Sequence, residues 1–441
     1  MKELKSELSR RRFFDLAAGA AGSALVAGKL NAQASATKTG HKGANDRVRI
    51  GLVGTGSRGR EVSGLWTANI PDAHYVAACD VFQSRLDQGV KLLTDNQNGT
   101  KIDAFGDYRR LLDRKDIDVV HIATPDHWHV KVMEDALSAG KDVYVEKPLS
   151  NNVETAASGL KAYRKSSGRL VQFGTQQRSG AHFQEAAKIV QSGALGKVTN
   201  AVCVFPGTGY GVPPEPEVAV PSGLNWDAFQ GPAPHHPFKA GRLRWRGWWD
   251  YGGGLITDWG AHLTQLALWY LNSETTPPEL STGVGQYVNF VNPEHDQSPD
   301  SVMNTWKYPN FTMSFTNATQ SDWEFGGQGN YFFGPKGSLH IHRYGYEVRP
   351  PSTANPKRAN QIGDDAQLLM VPWREPDDSD NNSFTVAHGR NFMKSIKDRS
   401  KPIVDLEAGF YACLPCLLGV KAVRENKAFR WDNDKLEAVP A

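Results

Sequence analysis

Long runs of one charge sign are missing from this 441-residue chain: 50 Lys and Arg face 47 Asp and Glu, for a formal charge of +3. With no basic run after the N-terminus, the footprint of a nucleic-acid binder or a polybasic membrane patch is absent. Cysteine is scarce, with Cys79, Cys203, Cys413 and Cys416 only. A lone Cys-Leu-Pro-Cys without a second pair excludes a zinc site. Its spacing can lower a thiol pKa in a redox dithiol, but the largely apolar stretch from Ala408 to Val420 predicts a buried helix instead. Past residue 30 no apolar stretch is expected to reach transmembrane length, so the mature chain should have no stable membrane span. Hydrophobic content of 39% and charged content of 22% are those of an ordinary globular protein, and the length suits two domains rather than one core. Tryptophan, by contrast, is plentiful at 12; such residues serve as sugar platforms or as core.

The N-terminus reads as an address. Ser9-Arg10-Arg11-Arg12-Phe13-Phe14 precedes a mild apolar run, Leu16 to Leu30, and then Ala32-Gln33-Ala34. Basic, apolar and small residues in that order make a secretory signal, and the arginine pair before phenylalanine resembles the twin-arginine type. Residues 1–34 are expected to be removed, 35–46 to form a flexible lead, and the protein to reach the periplasm or another extracytoplasmic space through the twin-arginine export machinery.

From Val48 the chain alternates strands and helices. Apolar strands at Val48–Val53, Tyr75–Cys79, Val119–Ala123, Asp142–Val145 and Leu170–Phe173 are separated by helical segments, among them Val130–Ala139 and Glu154–Lys165. That rhythm predicts an N-terminal doubly wound parallel sheet over 47–175. From 176 a C-terminal α/β domain with a large, mostly antiparallel open sheet is expected to run to 441. It comprises a Pro- and Gly-rich loop over 206–237, a helix from Asp258 to Tyr270, several strands between Gly283 and Arg349, an irregular polar stretch over 352–382, and closing helices at Phe384–Lys397 and Glu407–Asn426. One face of the open sheet suits self-association.

Gly54-Thr55-Gly56-Ser57-Arg58-Gly59 follows the first strand and opens a helix, and Asp80 ends the second strand 21 residues after Gly59. Alone, G-x-G-x-x-G is a weak signal; in this context it is a dinucleotide fingerprint. Gly54 allows the tight turn, Gly56 the approach of a pyrophosphate, and Gly59 close helix–sheet packing, while the helix N-terminus offers free N–H groups. A carboxylate at Asp80 hydrogen-bonds ribose hydroxyls and repels a 2′-phosphate, so NAD is favoured over NADP; Arg58 and Arg85 are cations nearby.

Thr124-Pro125-Asp126-His127-Trp128-His129 and Glu146-Lys147-Pro148 follow strands at the same sheet edge. With the glycine loop and Asp80 they resemble the glucose–fructose oxidoreductase, inositol dehydrogenase and rhizopine-catabolism (Gfo/Idh/MocA) family. The resemblance continues through Asn225-Trp226-Asp227 with Gly231-Pro232, Trp248-Trp249-Asp250-Tyr251-Gly252-Gly253-Gly254, Asp258-Trp259-Gly260-Ala261-His262 and Gly334-Pro335-Lys336-Gly337-Ser338. It implies a Rossmann domain, a sugar or polyol substrate in the cleft beside it, and a homo-oligomer. It also implies that Lys147 lies near the nicotinamide, that His262 is the acid/base and Asp258 its helical neighbour, and that Thr124, Pro125, His129, Glu146 and Gln176 are cofactor-loop residues. Many members carry a second Asp three residues after the histidine; Gln265 stands there in this chain, which leaves the identity of the substrate open.

The chemistry of the residues agrees. Oxidising a secondary alcohol needs a proton acceptor, which a histidine titrating near neutrality supplies. A lysine stabilises the developing alkoxide, and an i, i+4 spacing sets Asp258 and His262 on one helix face. Asp126, His127 and His129 carry metal-ligating atoms, but their spacing on a turn fits a metal poorly and none is expected. Arg244-Trp245-Arg246-Gly247-Trp248-Trp249 suits sugars and acidic sugars, or loop packing; Gln176 and Arg178 are cleft residues by position. Three functions stand: an NAD-linked sugar or polyol dehydrogenase, a redox-neutral NAD-dependent glycosidase, and a non-catalytic sugar sensor. An exported protein has little free NAD to exchange, which favours a tightly held cofactor. The NAD-dependent α-N-acetylgalactosaminidases of the family resemble the chain broadly, without their characteristic tyrosine and histidine segment.

Overall fold

The computed structural model describes residues 47–166, 168–207, 209–211, 213–288, 296–317, 327–351, 369–374 and 381–441. The expected signal and lead lie outside these residues, as does most of the stretch expected to be irregular; within that stretch Val371–Arg374 is a strand.

β1 (Val48–Val53) is an unbroken apolar run buried on both faces, as a central parallel strand must be. It lies between β2 (Ala73–Cys79) and β4 (Val119–Ile122), flanked by β3 (Asp103–Phe105), β5 (Asp142–Val145) and β6 (Val171–Phe173). The order is β3-β2-β1-β4-β5-β6 and every pair is parallel. Chain order reverses between β1 and β4, and the register aligns Val53 with Cys79 and Ile122, and Ile122 with Val145. The residues after these four positions are the glycine loop, Asp80, the Thr124 turn and Glu146-Lys147, which therefore share one carboxyl edge.

Helices α1 (Ser57–Asn69), α2 (Gln83–Asn96), α3 (Tyr108–Leu112), α4 (Asp126–Ser138) and α5 (Val153–Lys165) join the strands. α5 shows why: Asn152 caps it by accepting from the Thr155 N–H, Glu154 occupies its first turn, and Arg164 and Lys165 its last. α4 starts four residues earlier than its apolar periodicity suggests. Pro125 in extended conformation leads into it, so Asp126, His127 and His129 stand on its first turns rather than on a loop.

After α6 (Ala181–Gln191) comes a ten-stranded sheet, ordered β14-β13-β12-β11-β7-β10-β9-β8-β15-β16. Its strands are β7 (Asn200–Val204), β8 (Leu280–Gln286), β9 (Ser301–Lys307), β10 (Thr312–Thr316), β11 (Gly329–Gly334), β12 (Gly337–His342), β13 (Gly345–Arg349), β14 (Val371–Arg374), β15 (Phe429–Asp432) and β16 (Glu437–Pro440). It is antiparallel except for the β7–β10 pair. β9 alternates cleanly, with Val302, Asn304 and Trp306 inward and Met303, Thr305 and Lys307 outward.

The loop expected over 206–237 contains a short helix, α7 (Trp226–Gln230). Here the chain crosses back to the first sheet: Leu224 bridges Phe82, Asn225 N–H donates to Val81 O at 2.9 Å, and Trp128 Nε1 donates to Phe229 O at 3.0 Å. Leu224, Trp226, Phe229, Phe238, Trp248 and Tyr251 form its own small core against Val81 and Phe82.

The expected helix Asp258–Tyr270 is two helices, α8 (Gly254–Asp258) and α9 (Gly260–Tyr270). Trp259 separates them, its ring stacked on Phe205 at 3.9 Å. α10 (Asn381–Asp398) adds Val386, Phe392 and Met393 to the Trp66 core of the first sheet. α11 (Leu406–Glu425) joins both cores: Cys413, Leu414 and Leu417 pack with the first, Cys416 and Val420 with the second. The two thiols are thus buried helix residues, and burial pushes both up, Cys416 to about 12. α11 is apolar and long enough to cross a membrane, which corrects the expectation that no such stretch follows residue 30; 78% of its apolar window is buried inside the fold.

Candidate active site

A cleft of about 430 Å³ opens at the carboxyl edge, lined by the glycine loop, Asp80, Thr124, Pro125, His129, Glu146 and Lys147 on one side. Asn225, Phe229, Trp245 and Arg246 line the other. Gly54 has φ +93°, and a Cβ there would lie 2.6 Å from the Ala123 backbone. Gly56 faces open space, so the groove is kept clear where a pyrophosphate would lie, with Ser57 opening α1 beside it. A Cβ on Gly59 would strike the Gly54 carbonyl, the close packing expected of the third glycine. Asp80 is pre-oriented: Oδ2 accepts from Thr55 N–H (2.8 Å) and Oγ1 (3.0 Å), and Oδ1 from Phe82 N–H (2.9 Å). A carboxylate has about four lone-pair sites, so about one remains for a ribose hydroxyl. The cradle fits a dinucleotide.

Several expected cofactor residues also brace the cleft wall, Arg58 and His129 while lining it. Arg58 turns inward, its Nε donating to Glu146 Oε1 at 2.9 Å and Nη1 lying 3.0 Å from Glu61. It is spent on those carboxylates, while Arg85 and Arg109 also line the cleft that holds Asp80. Gln176, with its amide oxygen turned to Arg58 Nη2 (3.3 Å) and its nitrogen to Gly174 O (2.8 Å), braces Arg58 and is absent from the cleft lining. Arg178 pairs with Glu274 over Trp269 rather than facing the cleft. The His129 ring nitrogens face Pro148 O at 2.6 Å and Thr124 O at 2.9 Å, tying the Thr124 turn to the segment after Lys147. Burial lowers His129 and His127 to about 4, and His127 Nε2 lies 3.0 Å from Phe229 O, on the crossing segment. Both histidines thus hold backbone.

Lys147 and Asp258 meet. Lys147 Nζ donates to the Asp258 carbonyl at 2.9 Å and to Oδ1 of its carboxylate. Tyr210 donates its hydroxyl to Asp258 Oδ2, and Arg246 Nε lies 3.2 Å from Oδ1. Burial alone would raise the Asp258 carboxyl, but the charges of Lys147 and Arg246 and these hydrogen bonds outweigh it and hold the carboxyl well below the usual range. Asp126, at the start of α4 in the same wall, goes the other way. Burial pushes it well above its ordinary value, with Asp258 adding to the effect and Arg246 and Lys147 opposing it, and its Oδ1 has no hydrogen-bond partner.

His262 is buried in the first turn of α9. Across the break at Trp259 it makes no hydrogen bond to Asp258 among the described residues; its Nε2 lies 3.5 Å from Arg343 Nη2. Burial, Lys147 and Arg343 lower it well below 6.5, so the imidazole is neutral and does not titrate near neutrality as expected. Gln265, three residues on, has both amide atoms buried without partners. In the aromatic-cationic segment, Trp245 and Arg246 line the cleft, with the guanidinium 4.4 Å over the indole, while Trp248 and Trp249 are packing residues.

The oxidoreductase family model described as an NAD-binding Rossmann fold matches residues 48–175, and that of the family's C-terminal alpha/beta domain matches 179–339. Together they span more than half of the sequence. The chain belongs to the Gfo/Idh/MocA oxidoreductase family. An alpha-N-acetylgalactosaminidase of Shewanella oneidensis is 31% identical over 159 residues, 33% of this chain and 34% of that protein. A glycosyl hydrolase family 109 protein of Shewanella sp. (strain ANA-3) is 38% identical over 114 residues, 25% of this chain and 24% of that protein. The chain thus matches about a third or less of the length of these curated relatives. Among solved structures, levoglucosan dehydrogenase in complex with NADH and levoglucosan superposes with a TM-score of 0.63 at 17% identity, over 89% of this chain and 99% of that one. Apo scyllo-inositol dehydrogenase from Lactobacillus casei gives 0.59 at 17% identity, over 87% and 98%. At that identity these two bear on the fold.

Set against the Gfo/Idh/MocA pattern, the structure adds groups that sequence reasoning missed. Tyr210 and Arg343 come from a loop and a β-turn without a motif around them. Asp126 was legible only as part of the turn after β4.

Proposed function

We propose that this Gfo/Idh/MocA protein transfers a hydride between nicotinamide and a secondary hydroxyl of a sugar, polyol or glycoside, retaining its NAD from one turnover to the next, with the hydride handed on to the carbonyl of a second sugar substrate. The observation that carries the reading is the buried Lys147–Asp258 pair beside a neutral His262, with Lys147 in the wall of a dinucleotide cleft. Bound NAD supplies the hydride acceptor and donor. The Gly54–Gly59 amides and Asp80 hold it. Lys147 Nζ, fixed by Asp258, hydrogen-bonds the reacting oxygen and stabilises its negative charge. His262, kept uncharged by burial, takes the hydroxyl proton on Nε2. Retention is supported by the segment from Leu224 to Gly231, which is tied by backbone hydrogen bonds to the Asp80 turn and walls the same cleft.

A second reading, a redox-neutral glycosidase that oxidises, eliminates, hydrates and re-reduces, is favoured by the same wall and by the curated relatives named as an alpha-N-acetylgalactosaminidase and a glycosyl hydrolase family 109 protein. Incubation with glycosides and no added cofactor separates the two: many turnovers support the glycosidase, and one equivalent of NADH per protein supports the dehydrogenase. Failure of both, with NAD bound, would sink the proposal.

Residues 1–34 are proposed to direct twin-arginine export of the folded, cofactor-loaded chain to the periplasm; periplasmic recovery that survives replacement of Arg10–Arg12 would refute this. Self-association through the open sheet is supported by Val284, Met303 and Phe333, exposed on its outer face, and a monomer by sedimentation would exclude it.

A further inference from the structure

Lys147 and Arg343 act on His262 directly, and Arg246 lies against Asp258, the carboxylate held well below its usual range beside it. The other acid there, Asp126, is raised well above its ordinary value by burial, and Arg58 is paired with Glu146 and Glu61. Lys147 and Arg246 share Asp258. Arg343 has no carboxylate partner among the described residues.

Arg343 sits in the turn between β12 and β13, its guanidinium 4.5 Å over the Trp259 ring. Nε is buried without a hydrogen-bond partner, and the 3.5 Å contact from Nη2 to His262 Nε2 is at the limit of a hydrogen bond. Burial and the charge of Arg58 lower its pKa to about 10. Two further polar atoms there are buried without partners: His262 Nδ1 and Gln177 Oε1. A buried guanidinium with unfilled donors is costly, and its planar fork matches a carboxylate with two parallel hydrogen bonds.

We propose that Arg343 is the receptor for a carboxylate on the substrate, which makes the substrate class a sugar acid or its glycoside. The inference rests on the oxidoreductase reading of this site. The Arg343 fork exchanges the imidazole for the carboxylate, and His262 Nε2 is thereby opened to the reacting hydroxyl. With Arg343 on His262, the crevice it lines with Gln177, Trp259 and His342 measures about 10 Å³, room for about one water molecule. One fork suits a monoanion; a phosphate dianion would call for a second free cation at the same point.

The test uses the full-length NAD-loaded protein and matched probes: p-nitrophenyl glucuronide against glucoside, and galacturonide against galactoside. The acidic member should have the higher kcat/KM by about tenfold or more, mainly through KM. In Arg343→Met that ratio should fall toward one, and Arg343→Lys should retain part of it. Calorimetric titration with glucuronate, glucose and a hexose phosphate reads the anion site without turnover. No acid preference in the native protein, an unchanged ratio in Arg343→Met, or tighter binding of the phosphate overturns the inference. Turnover of neutral probes alone would leave the oxidoreductase reading standing and remove this one. Tight glucuronate binding without turnover of any probe would do the reverse.

Discussion

Around the glycine loop the cleft is made of backbone, and around Lys147 it is made of side-chain charge. The first part needs six consecutive residues, a φ of +93° at Gly54, and one carboxylate braced by neighbours. The second draws Lys147, Asp258, Arg246, Tyr210 and Asp126 from five segments and depends on which carboxyl is ionised. A backbone cradle fails when a side chain fills it; a charge cluster fails when one member leaves the rest uncompensated.

The hardest test of that contrast is Lys147→Ala. Turnover should fall by about a thousandfold or more while the purified protein still carries NAD, read by single-turnover assay and cofactor content. If NAD is lost as well, the two parts are not independent.

Next come the two acids, which should respond with opposite signs. Asp258 is depressed in the fold, so its contribution is present above the unfolded value of about 4 and lost as pH falls through the folded one. Asp258→Asn should therefore cost about 3–5 kcal/mol at neutral pH, because two cations lose their partner. Asp126 is raised, so the wild type loses stability as pH rises from about 4 through its folded value. Asp126→Asn should be neutral or stabilising at pH 7. Denaturant midpoints against pH decide this, and equal losses in both variants would break the assignment.

Gly56→Leu places a side chain in the open groove and should weaken NAD binding by about a hundredfold, with little change in thermal midpoint because the site has free space. Unaltered affinity by calorimetry would move the dinucleotide elsewhere. His129→Ala should cost about 1–3 kcal/mol for the carbonyl it leaves without a partner. A loss of NAD larger than this stability change would return His129 to the cofactor contacts.

Much of the first part was legible in the chain. The glycine spacing, the strand before it and Asp80 act through local backbone geometry, and the buried strands of the first sheet announce themselves as apolar runs. The second part was legible in Lys147, Asp258 and His262 through their motifs, but their relations were not. The i, i+4 rule linked Asp258 to His262, yet the Phe205–Trp259 stack accompanies a break between them, and Lys147 takes the carboxylate. His129 and Gln176 were placed at the cofactor by position. In the fold His129 lines the cleft with its ring held between two carbonyls, and Gln176 braces Arg58 from outside the lining.

By itself, then, the sequence determined the Rossmann sheet, the dinucleotide loop and the family, because those follow from periodicity and from glycines whose conformations few other residues adopt. Tertiary structure alone decided which carboxyl is raised and which depressed, which guanidinium lacks a carboxylate partner among the described residues, and that His262 is neutral. Those states depend on desolvation and on charges brought together from distant segments, and no local pattern encodes either.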